Sequence, residues 1–143
     1  MKIINQDYEE IEDIPHSGSV TNEVAQLLPP NMKIYNKMSF SLAAQSDILE
    51  AVQKTQRKTA VIIGYETDVG HTLRIGTHGF GIQIVVVANA TGSPGGTHQI
   101  GLERIRGMGG IIVSAKSLYY EWVRTVDKAL EFEALGELRR LKE

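Results

Sequence analysis

The stretch "TAVIIGYETDVGH", residues 59–71, decides how the chain is read. An apolar run, Ala60 to Ile63, leads into Gly64, and a polar turn carrying Thr67 and Asp68 follows. A Val- and Ile-rich run that is apolar on both faces suits a strand inside a parallel sheet covered by helices on both sides. In such sheets ligands bind at the carboxyl ends of the strands, so the turn leaving this one is where reactive groups belong. The residue entering the expected helix is Gly70, which offers a backbone N–H and no side chain. The free N–H groups and positive dipole end of that helix would favour an anion or a developing oxyanion.

Outward from this turn the same alternation repeats. "IQIVVVA" at 82–88 and "GGIIVSA" at 109–115 read as further strands apolar on both faces. "MKIYN" at 32–36 and "KIIN" at 2–5 are shorter strand candidates. Helices fall between them. "SDILEAVQKTQ" runs from Ser46 to Gln56, with Ser46 as the expected cap, an acid in the first turn, and Ile48, Leu49 and Val52 as its apolar stripe. Residues 69–79 form a shorter helix that Gly79 can end. Residues 97–107 start at Thr97 and are expected to bury Ile100 or Leu102, together with Ile105 and Met108. The last segment, "SLYYEWVRTVDKALEFEALGELRRLKE", reads as one long helix in which Leu130, Ala134, Leu138 and Leu141 recur at helical spacing. Residues 6–31 lack clear periodicity and read as an excursion with a helical turn near Glu23 to Leu27. The pattern is that of an α/β chain: a three-layer α/β/α, Rossmann-like domain with a mainly parallel sheet, filling residues 1–143.

Composition narrows the function classes. A formal net charge of −2 provides no basic surplus to neutralise phosphates, so no nucleic-acid partner is expected. With no cysteine, disulfides, thiolate metal sites and cysteine nucleophiles are excluded. His16, His71, His78 and His98 are scattered without a close ligand pair, so neither a metal nor another cofactor is expected. "NATGSPGG" lacks the lysine of a P-loop and the glycine spacing of a dinucleotide fingerprint, and reads as a plain strand-to-helix loop. "MKIINQDYEE" turns acidic too early for a signal peptide, and the apolar runs are too short to span a bilayer. A cytoplasmic protein with no membrane partner is the expectation.

The segment from "GYETDVGH" through "NATGSPGGTHQIGLERIRGMGGIIVSAKSLYYEWVRT" resembles the C-terminal half of the isochorismatase-like hydrolases. The family motif is roughly Gly-x-x-Thr-Asp-x-Cys-Val after a central strand; Gly64, Thr67 and Asp68 match it, and Gly70 stands where the nucleophilic cysteine would be. Upstream, "IYNKMSFSL" resembles the strand bearing the family's catalytic lysine, which falls on Lys37. The resemblance is strongest over residues 32–126, with 127–143 as a C-terminal helical extension.

The resemblance implies three chemical parts: an aspartate as acid or base, a lysine that stabilises charge, and a thiol nucleophile. It also implies a strained turn, often with a cis peptide, here Tyr65–Glu66, that aims N–H groups of Tyr65, Glu66, Thr67, Asp68, Val69 and Gly70 as an oxyanion hole. Two departures stand out. Gly70 lacks the thiol. The aspartate is missing, because "KIINQDYEE" aligns best with the family's second strand, which leaves the first strand and first helix absent. In an alternative alignment Asn5 takes the acid's place and Asp7 is the nearby carboxylate. The leading expectation is therefore a family member that has lost thiol-dependent amide or nitrile hydrolysis, a pseudoenzyme kept for binding a small-molecule ligand or forming subunits. The alternative is an active hydrolase of the nucleophile-free, isochorismatase kind, which protonates a vinyl-ether carbon and would use Lys37 and Asp7. A third is an assembly module. The lost strand would leave a sheet edge that a homo-oligomer, dimer or tetramer, could close, or the chain is a fragment of a longer product.

Overall fold

The computed structural model describes residues 9–12, 22–26, 28, 33–36, 45–65, 67 and 81–134. These residues belong to two compact units. One takes in residues 1–59 and 69–83, the other residues 60–68 and 84–143.

In the first unit, β1 (Glu9–Glu12) pairs in parallel with β2 (Lys33–Asn36), Glu9 lying opposite Lys33 and Glu12 opposite Asn36. The stretch between them contains a short helix, α1 (Asn22–Ala25), where the sequence suggests a helical turn. Strand β1 falls inside the stretch expected to be an excursion. The candidate strand at 2–5 lies outside the described residues. Tyr35 on β2 is buried, and the Lys33 ammonium sits 4.2 Å from its ring centroid, an arrangement that favours the cation over the aromatic face.

Helix α2 (Ser46–Lys54) buries Ile48 completely. The expected cap is corrected: Gln45 occupies the N-cap without a side-chain capping bond, and Ser46 lies inside the helix. Asp47 in the first turn and Lys54 in the last suit the helix dipole. The helix ends through Gln56, which takes a φ of 56°.

The second unit holds a three-stranded sheet in the order β3 (Thr59–Tyr65), β4 (Gln83–Gly92), β5 (Ile111–Val113). Val85, Val86 and Val87 pair in parallel with Ile111, Ile112 and Val113. The N–H of Gln83 donates to Lys58 at one end of the β3–β4 pair, and that of Thr67 donates to Gly92 at the other, so these strands also run the same way. Among the described residues of this sheet β4 has a neighbour on each side, and Ile84 to Val87 are all buried. The expectation of strands apolar and buried on both faces therefore holds for β4 alone. In β3, Val61 and Ile63 are exposed, Ile63 by 66%, and in β5 Ile111 is exposed.

Helix α3 (Thr97–Gly107) returns from β4 to β5 and buries Gly101, Leu102 and Ile105. Leu102 is 7% exposed and Ile100 57%, which settles the stripe; Met108, expected inside, is exposed. The helix starts at Thr97 as expected, with Gly96 as the N-cap residue. It ends in a Schellman motif: the N–H of Gly110 reaches the carbonyl of Ile105 and that of Gly109 reaches Arg106, with Gly109 at φ 86°. Gly110 is required for a different reason. A Cβ there would lie 2.6 Å from Ile105 Cγ2.

The long C-terminal helix is also corrected. It is two helices, α4 (Ala115–Val123) and α5 (Val126–Ala134), broken at Arg124, whose φ is 65°. Tyr119 of α4 meets Phe132 of α5 edge-on, centroids 6.4 Å apart, which ties the helices across the break. The part of the segment beyond residue 134 lies outside the described residues.

Candidate functional site

The carboxyl ends of β3 and β4 converge on Thr67. Gly64, near the end of β3, has a φ of 120°, a conformation L side chains rarely adopt. This supplies a physical reason for the glycine of the Gly-x-x-Thr-Asp motif. Three residues on, Thr67 is 8% exposed and is the only buried polar side chain among the described residues. It is satisfied twice. Its N–H donates to the carbonyl of Gly92 at 3.1 Å, and its hydroxyl lies 3.0 Å from Nδ1 of His98. An unpaired hydroxyl at this depth would cost about 1–3 kcal/mol.

His98 is brought there by the loop between β4 and α3. Strand β4 runs through Gly92, so "NATG" of "NATGSPGG" is strand and the loop proper is residues 93–96. Gly95 turns the chain at φ 60°, and Thr97 Oγ1 donates to the carbonyl of Pro94 at 2.7 Å. His98 follows in the first turn of α3.

The neighbouring corner, between β5 and α4, is closed by side chains. Ser114 accepts the N–H of Ser117 at 3.0 Å, and Asn89 Oδ1 accepts the N–H of Ala115 at 2.7 Å. Two donors at the start of α4 are thus occupied from within the chain.

Of the residues singled out in the sequence, Tyr65 is the last residue of β3 and Thr67 is the hub just described. Asp7, Lys37, Glu66, Asp68, Val69 and Gly70 lie outside the described residues, as do the expected helix 69–79 and the Tyr65–Glu66 peptide. Neither His98 nor Asn89 stands out in the sequence as a site residue. His98 was one of four scattered histidines, and nothing local links it to a threonine 31 positions away. Among the described residues no group of His, Asp and Glu could hold a metal ion, and no helix is long and apolar enough to cross a membrane.

The Isochorismatase domain family matches residues 5–117. The chain belongs to this family, the isochorismatase-like hydrolases. Solved structures agree in fold. A MAR1 ribonuclease from Caenorhabditis elegans superposes with a TM-score of 0.72 at 17% identity, covering 91% of this chain and 66% of its own. The YcaC gene product of Escherichia coli, described as an octameric hydrolase of unknown specificity, gives 0.72 at 19% identity over 94% of this chain and 70% of its own. A nicotinamidase from Staphylococcus aureus gives 0.61 at 19% identity over 73% and 71%. The chain thus spans about two thirds of the length of each of these proteins. No curated protein matches it.

Proposed function

We propose that this family member has lost thiol-dependent hydrolysis of amides and nitriles and is kept as a small-molecule-binding, subunit-forming protein. The observation that carries this reading is Gly70 at the nucleophile's place in the motif, in a chain without any cysteine. A hydroxyl, amine or carboxylate elsewhere does not restore the lost step, because the nucleophile must arise from the turn itself, within reach of the carbonyl carbon. The motif's scaffold persists: Gly64 keeps its required backbone conformation and Thr67 remains tied to the end of β4. On this reading residues 1–143 act as one functional domain, and the N–H groups of residues 65–70 and the Lys37 ammonium are the groups offered to the ligand. The test is a screen of amide, nitrile and vinyl-ether substrates run beside Gly70→Cys. Inactivity of both chains toward amides and nitriles fits loss of the acid as well as the thiol. Turnover of amides by the unaltered chain refutes the reading.

Glycine at this position favours one alternative. Hydrolysis of a vinyl ether begins by protonating carbon and needs no covalent nucleophile, so Gly70 is compatible with it. Asp7 would supply the proton and Lys37 would stabilise charge. Turnover of a vinyl ether that is abolished by Asp7→Asn selects this alternative.

Subunit formation is supported by the octameric description of the Escherichia coli YcaC product and by the apolar exposure of β3. A monomer by light scattering at micromolar concentration would remove it. A cytoplasmic location belongs to the same reading and is checked by cell fractionation.

A further inference from the structure

We infer that His98 is a positioning residue for the turn that follows β3, acting through the hydroxyl of Thr67. The inference deepens the proposed function, because residues 64–70 are the turn on which that reading rests. The tie itself can be tested without any substrate.

Thr67 is held by two independent bonds, one from its main chain to Gly92 and one from its side chain to His98. Both partners belong to the same short connection, the end of β4 and the first turn of α3. That connection is itself pinned by the Thr97–Pro94 bond and by Gly95 at positive φ. His98 therefore reaches Thr67 from a fixed base. Capping does not account for the histidine's placement, since α3 begins on Gly96 with no side-chain cap. By chain connection, whatever fixes Thr67 fixes where the segment from Thr67 to Gly70 begins. The motif's threonine matters here for its hydroxyl, and the hydroxyl for the ring it meets.

The geometry engages one ring nitrogen. When the Thr67 hydroxyl donates, Nδ1 is the acceptor and the ring proton sits on Nε2. An asparagine places a polar atom near the position of Nδ1, and a glutamine reaches toward that of Nε2. The side-chain amide of His98→Asn should therefore replace the contact, whereas His98→Gln should not.

The experiment measures amide hydrogen exchange in the full chain at Thr67, whose N–H is bonded to Gly92, and at Val86 in the buried strand β4. His98→Ala and Thr67→Val are each expected to speed exchange at Thr67 about tenfold, the size associated with one hydrogen bond. The double variant should go no further, Val86 should stay unchanged, and His98→Asn and Thr67→Ser should restore slow exchange. Unchanged exchange at Thr67 in His98→Ala would overturn the inference. So would Thr67 and Val86 accelerating together, which marks general loosening, or equal rescue by His98→Gln. These outcomes are independent of whether the chain hydrolyses anything.

Discussion

Asn89, near the end of β4, accepts a hydrogen bond at 2.7 Å from the backbone N–H of Ala115, the first residue of α4. A strand side chain thus satisfies a donor that a helix start would leave open. Asn89→Ala should cost about 1 kcal/mol, the range of a lost helix cap. Asn89→Asp keeps the acceptor and adds negative charge at a helix N-terminus, worth roughly 0.3–1 kcal/mol of stabilisation at low salt. Urea unfolding of the two variants, with the Asp variant repeated in high salt, checks both signs.

Leu102 and Ile100 are two residues apart on α3 and lie on opposite sides of its burial boundary. Leu102→Ala should cost about 2–5 kcal/mol by removing transfer free energy and leaving a cavity. Ile100→Ala should stay within about 0.5 kcal/mol, as surface changes do. Equal losses in chemical denaturation would contradict the assigned stripe.

Gly110→Ala adds one methyl group where Ile105 Cγ2 and the Ile105 carbonyl already stand. Since that carbonyl receives the N–H of Gly110, the backbone cannot retreat without weakening the helix end. Destabilisation of about 1–3 kcal/mol is expected from overpacking. Ile105→Val, which trims the opposing side chain, should make the alanine less harmful, and a double-mutant cycle measures that coupling.

Gln56 carries a φ of 56° just past the end of α2, the position where glycine is usual. Gln56→Gly should raise the melting midpoint, because the cost of the left-handed conformation for a residue with a Cβ is about 1–2 kcal/mol. The added freedom of glycine in the unfolded chain returns about 0.5–1 kcal/mol of that. The same substitution at Val52, inside the helix, should lower the midpoint.

How much of this was legible in the sequence follows from what each residue faces. The strand β4 could be read because both of its faces are buried, so Ile84 to Val87 form an unbroken apolar run. The strand β1 could not, because three of its four residues are glutamates and its identity comes from pairing with β2, 24 positions downstream. The break at Arg124 carries neither glycine nor proline to announce it. The family motif could be read because its glycine and threonine answer local demands: a backbone turn at Gly64 and a buried hydroxyl at Thr67. The threonine's partner could not, since a lone histidine shows nothing of the distant residue it will meet.

The corner between β5 and α4 is tight. A single residue, Ser114, separates the end of one element from the start of the other, and it also holds the N–H of Ser117. There is no slack in that joint. Lengthening it would carry the serine off its mark and break step with Asn89, so an insertion at this joint would open both bonds at the start of α4 together.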